Sequence, residues 1–476
     1  MKITKLSLIA CVALASLSTA SFAQPLEEAI KGIDVSGMLR YRYTDNRYDN
    51  KGFNKQERTR GDANHQWRAE ALFKTPVINN ISMNLGIGYH NAQQNVNHGK
   101  GILDNNGNYT NVFAGNGLGS GSDSWFGVRE FNMVITPDST NTTIKAGKMI
   151  MQTPLNDTLD DRATGIFVTN SDLNHWTFSL GAFDAWSIDD YQTGYSLSSN
   201  PRNNQSFAKP FYTIGALSNY DTSIGNFSSQ LWFFNATDMI DFAGFGELAW
   251  QNSMFHLKGQ YAFSKLNSDA NSPWTSVYEN QKVKEGNDLY TLEAGVRFHD
   301  YNIPVAAKIG YWGNTQDGYA VSLDDEGSFQ KVGQIWFENG ATGVSISMLP
   351  TNGQKMPRGF ESNELSMFYA NINYDILENL NIGIDYVNGT NKIARGQGAA
   401  RYSGDIDFQE INPYIVWQYT KSLRIFAHYS ILTTDTTRQI ATQFANTTNA
   451  PAIIPANQIS DSEDRNRLRV EVKYTF

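Results

Sequence analysis

The last ten residues of the chain alternate between apolar and polar side chains. Leu468, Val470, Val472, Tyr474 and Phe476 share one parity, and polar side chains occupy the positions between them. Because successive side chains of a strand point to opposite faces, the segment predicts a strand with one apolar, aromatic face and one charged face. A soluble β-sandwich would turn the apolar face inward, whereas a membrane barrel would turn it towards lipid.

The same pattern occurs near the other end of the chain, in residues 34–43. Leu39 and Tyr41 share the apolar parity, whereas Arg40 and Arg42 share the polar one. In a closed barrel the first and last strands must pair, because an open sheet edge in lipid leaves backbone groups without hydrogen bonds. Two matching terminal strands therefore favour closure.

Alternating segments continue between these two ends. They are predicted at 66–73, 81–89, 125–136, 142–148, 164–170, 175–186, 209–219, 226–236, 243–251, 254–264, 288–299, 303–312, 363–374, 379–388, 408–419 and 422–432. Short turns alternate with mostly long connections that are rich in Gly, Asn, Asp and Ser, and both termini lie at the short-turn end. This asymmetry is typical of bacterial outer-membrane barrels, and a soluble sandwich has no reason to place every long loop at one end.

The pattern predicts an all-β protein, a transmembrane antiparallel β-barrel of about 18 strands. Residues 313–362 hold two further apolar runs, which we interpret as structure within one long loop. A barrel of this size encloses water and is wide enough to be a channel.

The first 23 residues resemble a secretory signal. Lys2 and Lys5 precede a short apolar stretch, and a small residue, Ala23, ends the segment. We therefore expect residues 1–23 to be a signal peptide and residues 24–476 to form a single outer-membrane barrel domain.

Composition narrows the class further. The one cysteine, Cys11, lies in the expected signal, so the exported part has no disulfide and no thiolate metal site. Removing two lysines and no acids changes the formal charge from −9 to −11, which argues against a nucleic-acid partner. After residue 23 no run of about 18 apolar residues occurs, so no spanning helix is expected. A secreted β protein and an outer-membrane barrel remain.

The third long loop, residues 149–163, is more apolar than a solvated loop needs to be. It also carries Asp157, Asp160, Asp161 and Arg162 close together. A partly apolar loop needs a surface to pack on, and the inner wall would supply one. We expect this loop to fold into the pore with its carboxylates facing the channel; the alternative is an ordinary surface turn.

Strand parity predicts a basic wall across from that loop. Five arginines on the first, second and last strands point inward, and we expect them at one height: Arg40, Arg42, Arg68, Arg467 and Arg469. Further inward candidates are Glu70, Glu130, Glu293 and Arg297. Charges placed across a narrow pore select permeants by charge and size. The alternative is that each arginine is a polar lumen residue paired with a neighbouring glutamate.

Two stretches resemble a known family. Residues 25–43 are similar to the mature start of the Campylobacter-type major outer membrane porins. Ala146-Gly-Lys148, followed by Asp157, Asp161 and Gly165, resembles the third loop of that family. The resemblance implies an eighteen-stranded, homotrimeric general-diffusion porin in the outer membrane of a Gram-negative bacterium, weakly cation-selective, with the third loop as its constriction.

The match at the constriction is incomplete. Asp157 and Asp161 correspond to acidic positions of the family's loop, whereas Pro154, Asp160 and Arg162 do not. The net charge of the constriction therefore departs from the family pattern. The expected partners are outer-membrane lipid, ions and small hydrophilic solutes.

Inward carboxylates could also hold a metal. Asp157 and Asp161, with an acid from the wall such as Glu130, could bind calcium, a hard cation that takes several oxygen ligands. The sequence contains no EF-hand loop, and no cofactor is required by any motif.

Three other functions compete with a diffusion channel. An enzyme is disfavoured because the seven histidines are scattered and no Gly-x-Ser-x-Gly elbow is present. A surface adhesin could use tryptophans at strand ends to stack on sugars, although the same residues suit an interfacial aromatic girdle. A substrate-specific channel of the same fold would use the arginines for small carboxylates.

Overall fold

The computed structural model describes residues 32–90, 95–97, 102–103, 109–110, 125–158, 161–187, 209–267, 285–323, 327–348, 360–395, 402–448 and 453–476. The expected signal peptide, residues 1–23, and Asp160 lie outside the described residues.

Eighteen antiparallel strands form one closed sheet. They are β1 (Asp34–Asp49), β2 (Thr59–Lys74), β3 (Ile81–His90), β4 (Trp125–Ile135), β5 (Thr142–Ile150), β6 (Arg162–Asn170), β7 (Trp176–Ser187), β8 (Phe211–Thr222), β9 (Gly225–Ala236), β10 (Ile240–Gln251), β11 (Phe255–Leu266), β12 (Gly286–Arg297), β13 (Val305–Gly313), β14 (Phe360–Leu377), β15 (Leu380–Arg395), β16 (Tyr402–Gln418), β17 (Leu423–Thr436) and β18 (Ser462–Thr475). Each of these eighteen strands pairs with the next in the chain, and β18 pairs with β1. A further short strand, Asn95–Asn97, pairs with β2 at its long-loop end. The predicted barrel and its closure are confirmed.

The strands extend farther towards the long-loop end than their alternation predicts. β15 continues to Arg395 and β16 begins at Tyr402, so residues 396–401 connect them, where the sequence predicted a loop over 389–407. Beyond the apolar band both faces of a strand meet polar surroundings, so the alternation fades while the backbone ladder continues. Hydropathy therefore underestimates strand length at this end.

An apolar band surrounds the outside of the barrel. Leu39, Leu248, Leu292 and Ile309 are 50%, 71%, 57% and 54% exposed. Apolar side chains recur at alternate positions of most strands, so the exposed apolar surface is continuous. A surface of this kind is stable only against an apolar surrounding such as lipid.

The inner face is not uniformly polar, which corrects the expectation of a simple water-filled barrel. In β7, Leu180 is exposed on the outer face while Phe183 is 3% exposed on the inner face. Phe183 belongs to an apolar cluster in which wall residues pack with residues of the β13–β14 connection. These wall residues include Phe211, Trp232, Phe245 and Trp312. A second apolar core thus lies inside the sheet.

We name two connections that take part in this core. L3 is the β5–β6 connection, residues 151–161, and L7 is the β13–β14 connection, residues 314–359. Val321, Leu323 and Trp336 of L7 are fully buried. The β contact described within L7 is a single bridge between Ser322 and Ser347, in agreement with its interpretation as structure within a loop.

The last long connection contains a helix, α1 (Arg438–Thr448). Ala441 and Ala445, one turn apart, are buried against Phe53 of the first loop and Ile459. The helix therefore lies at the long-loop end, against residues 51–53 and β16. Among the described residues, no helix combines the length and the apolar character needed to cross a membrane.

Candidate channel constriction

L7 is bound to the inner face of β16 by one carboxylate. The Glu410 side chain is fully buried, and it accepts the consecutive backbone N–H groups of Gln334 (2.6 Å), Ile335 (3.0 Å) and Trp336 (2.8 Å). Buried backbone N–H groups need acceptors, and a carboxylate is a strong one. One wall residue thus holds three consecutive N–H groups in the middle of L7, and Asp385 of β15 accepts the preceding N–H group, that of Gly333, at 3.2 Å.

L7 is also bound to β11 and β12. The Gln260 amide donates to Ser328 O (2.8 Å) and accepts from Gln330 N (2.8 Å). Asp288 accepts the N–H groups of Thr315 and Gln316. Because wall strands from β11 to β16 supply these partners from their inner face, L7 lies along the inside of the wall.

L3 packs on L7. Its tip residue Leu155 is fully buried, and Leu155 O accepts from Leu323 N (2.6 Å) and Ser322 Oγ (2.9 Å). Pro154 O accepts from Ser328 N (2.8 Å). The apolar residues that made this loop unusual in the sequence therefore contact L7. That L3 itself narrows the channel stays a prediction.

The acids of L3 are placed differently from one another. Asp161 is fully buried, and its Oδ2 accepts from Asp157 N (2.9 Å) while its own N–H donates to Asp157 O (3.0 Å). Arg162 Nη1 donates to Asp161 O (2.9 Å). Asp161 therefore stabilises the loop backbone and does not face the channel as expected, whereas Asp157 is half-buried.

The five predicted arginines do face inward, but their expected common height is wrong. Arg40 lies opposite Arg68 and Lys473, whereas Arg467 lies opposite Asn46. Asn46 lies about 20 Å beyond Arg40 along β1, at a rise of about 3.3 Å per residue. The arginines form a strip along the strands and not a ring.

We call this the basic strip. It also includes one arginine that the sequence did not predict, and its members are Arg40, Arg42, Arg68, Arg129, Arg467 and Arg469.

Glutamates are interleaved with the strip. Arg42 Nη2 lies 2.7 Å from Glu471 Oε2. Glu70 Oε1 lies 2.6 Å from Arg68 Nη2 and 2.8 Å from Arg129 Nε, so one carboxylate serves two guanidinium groups. The alternative interpretation of the arginines, in which each pairs with a neighbouring glutamate, thus has its partners in Glu70 and Glu471. Another predicted wall residue, Glu130, lies 3.5 Å from the Asn132 amide, at the limit of a hydrogen bond.

L7 contacts the basic strip through Glu338. Its carboxylate forms an ion pair with Arg467, and Arg469 Nη2 lies 4.0 Å away. Arg467 Nη1 also lies 3.5 Å from Gln334 O. L7 therefore extends from β11 to β18, and the space beside Glu338 is bounded by loop on one side and by the strip on the other.

Glu338 and Arg129 were missed in the sequence, for different reasons. Glu338 lies in a loop, where no alternation of apolar and polar residues shows which way a side chain points. Arg129 lies at a register shift between β3 and β4, where Gly86 pairs with Glu130 and Ile87 with Val128. A bulge of this kind changes which residues face inward, so strict alternation could not reveal it.

No metal centre is evident in the described part of the chain. There, no group of three or more His, Cys, Asp or Glu side chains is arranged to hold a metal ion. The expected calcium ligands Asp157 and Asp161 are close in the loop, but Asp161 is committed to the Asp157 N–H group.

A closed barrel with an apolar outer band and a charged inner passage defines the class of outer-membrane β-barrel channels. The chain belongs to the Campylobacter major outer membrane protein family, whose model matches residues 1–474. The resemblance predicted from residues 25–43 and the third loop is confirmed, and the protein is located in the outer membrane of a Gram-negative bacterium. No curated protein matches the sequence.

Solved structures share the fold at low sequence identity. OpdQ of Pseudomonas aeruginosa is 12% identical with a TM-score of 0.57, over 94% of this chain and 99% of that chain. OccAB1 of Acinetobacter baumannii is 12% identical with a TM-score of 0.57, over 93% and 97%. OpdK of Pseudomonas aeruginosa, solved with vanillate, is 13% identical with a TM-score of 0.50, over 93% and 99%. At such identities these likenesses concern the fold alone.

Proposed function

We propose that the protein is a passive channel for ions and small hydrophilic solutes, and that its constriction is formed by L7 and the basic strip. The observation that supports this most directly is the contact of Glu338 with Arg467 and Arg469, because it limits the free cross-section on both sides. Charged side chains around a narrow passage select permeants by charge and size.

The charge preference of this passage is the finer part of the proposal. Six arginines of the strip face three partnered glutamates, Glu70, Glu338 and Glu471. Local charge governs selectivity more than distant charge does. We therefore favour small anions, including carboxylates, at the constriction. The weakly cation-selective channel expected from the resemblance is the alternative, supported by the formal charge of −9 and by half-buried Asp157.

Single-channel recording in planar bilayers tests both parts. Discrete conductance steps support the channel, and correctly folded protein without conductance contradicts it. In a salt gradient, an anion-leaning reversal potential supports the basic strip as the selector. A cation-leaning potential that weakens in the variant carrying Asp157→Asn with Asp161→Asn supports the alternative.

Further expectations from the sequence belong to the same proposal. We propose that residues 1–23 are removed on export, that the protein assembles as a homotrimer, and that it has no catalytic role. Calcium binding near Asp157 and Asp161 is a proposal as well, and a change of conductance on adding a chelator and restoring calcium would support it.

A further inference from the structure

A cavity lies between the inner wall and L7, apart from the basic strip. It has a volume of about 460 Å³ and is lined by residues of β9 to β14, with Gln330 of L7 at one side. Its charged lining consists of His256, Lys258, Glu293, Arg297 and Lys308. Volumes of this order are typical of sites for small molecules.

The carboxylate of Glu293 has no capacity left for a ligand. His256 Nε2 lies 3.1 Å from its Oε1, and Lys308 Nζ (3.0 Å) and Tyr369 OH (2.8 Å) lie at its Oε2. With the Gln330 amide in the orientation that satisfies its neighbours, the amide nitrogen donates to Oε1 at 3.3 Å. A carboxylate offers about four lone-pair sites, and four donors occupy them here.

The second acid beside the cavity is similarly committed. Glu247 Oε2 accepts from Gln260 (2.6 Å) and lies 3.5 Å from Lys258 Nζ, and Oε1 accepts from Gln230 (3.3 Å). Its side chain is 11% exposed and that of Glu293 is 4% exposed. Both carboxylates therefore have little accessible surface.

The two lysines keep donors available. Their side chains are 26% (Lys258) and 27% (Lys308) exposed. An ammonium group has three donors. Lys308 uses one on Glu293, and Lys258 has a long contact with Glu247 and a 3.1 Å contact with the Gln330 amide oxygen. Two acids and two lysines balance in number. The lysines are more exposed than the acids, however, so the accessible charge in the cavity is positive, and exposed Arg297 adds to it.

We propose that this cavity binds a small carboxylate through Lys258 and Lys308. An anion meets free donors there, whereas the ammonium group of a zwitterion or a cation meets no free carboxylate on Glu247 or Glu293. The proposal rests on the proposed channel function, because the ligand enters through the same lumen. It adds a site on β11 and β13, several strands away from β18.

The test uses the full-length protein in detergent with labelled succinate as the probe. We expect saturable binding that is weakened about tenfold by Lys258→Gln and by Lys308→Gln, as for loss of a charge-assisted hydrogen bond. Lys473→Gln is the matched control, because it removes the same charge from the lumen on β18. It should change binding by no more than about twofold. Glycine and tetramethylammonium should not compete with succinate.

Lys308→Gln releases buried Glu293 and can impair folding, so Lys258→Gln decides the question by itself. Succinate binding that is unchanged in folded Lys258→Gln, or equally reduced by Lys473→Gln, overturns the proposed site. Planar-bilayer recording on the same preparations separates the two proposals. Conductance without succinate binding overturns the site and leaves the channel, whereas succinate binding without conductance overturns the channel and leaves the site.

Discussion

The backbone N–H of Trp336 donates to the buried carboxylate of Glu410 at 2.8 Å. This bond connects the most deeply buried aromatic residue of L7 to strand β16, and two neighbouring N–H groups share the same acceptor. The position of L7 therefore depends strongly on one side chain of the wall.

We expect Glu410→Gln to loosen L7. An amide keeps one acceptor oxygen but presents an NH₂ group to backbone N–H groups, and losing hydrogen bonds to a charged acceptor costs about 1.5–3 kcal/mol each. Single-channel currents of the variant should be larger and noisier than those of the wild type. Glu364→Gln, the same change at an exposed position of β14, is the control and should leave the currents unchanged. Quiet, wild-type currents in Glu410→Gln would contradict the anchoring role.

The apolar core inside the barrel should contribute to stability. Trp336 is fully buried, and its ring lies parallel to Phe408 with centroids 6.0 Å apart. Trp336→Ala should lower the free energy of unfolding by about 3–5 kcal/mol, as for other large truncations in cores. Denaturant unfolding monitored by the loss of β-structure measures it. Phe337→Ala, at a half-buried neighbour, should cost clearly less; equal costs would argue against a packed core around Trp336.

Glu338 should tune the charge preference of the passage. Glu338→Gln leaves Arg467 and Arg469 without their loop partner, so the reversal potential in a salt gradient should shift towards anions, by about twofold in permeability ratio. Arg467→Gln should shift it in the opposite direction. Glu378→Gln, in the short turn between β14 and β15, serves as the control for a charge outside the constriction. Equal reversal potentials in Glu338→Gln, Arg467→Gln and Glu378→Gln would show that Glu338 does not contribute to selectivity.

Gly147 should be essential for the pairing of β4 and β5. Its φ is +126°, and an added Cβ would lie 2.3 Å from Phe131 O. Gly147→Ala combines backbone strain of about 1–3 kcal/mol with a backbone clash, so we expect a marked loss of folded protein. Gly246→Ala is the matched control, because the nearest atom to its added Cβ is 3.8 Å away. Comparing the folded fractions by gel mobility with and without heating tests this, and equal fractions would contradict it.

The barrel could be predicted because its signal is local. The alternation of Leu39 and Tyr41 with Arg40 and Arg42 is enough to orient β1. The alternation of short turns and long loops gives the number and the direction of the strands. The inward direction of Arg467 and Arg469 followed from the same parity.

The arrangement inside the barrel could not be predicted in the same way. The relative height of Arg40 and Arg467 depends on the register between β1 and β18, which the composition of either strand does not encode. Glu338 lies beside the strip in a stretch of L7 whose backbone is held by Glu410, 72 residues later in the chain. Contacts between distant segments depend on packing and leave no periodic trace in the sequence.

The inner core has a consequence for molecular sieving. L7 lies along the inner wall from β11 to β18 and packs in a core inside the sheet, so the open bore is narrower than the circumference of eighteen strands suggests. Under the proposed function, the size cutoff for solutes is set by one connection and its anchors and not by the strand number. Homologous barrels of equal circumference can accordingly differ in cutoff through substitutions confined to that connection, while the lipid-facing wall stays unchanged.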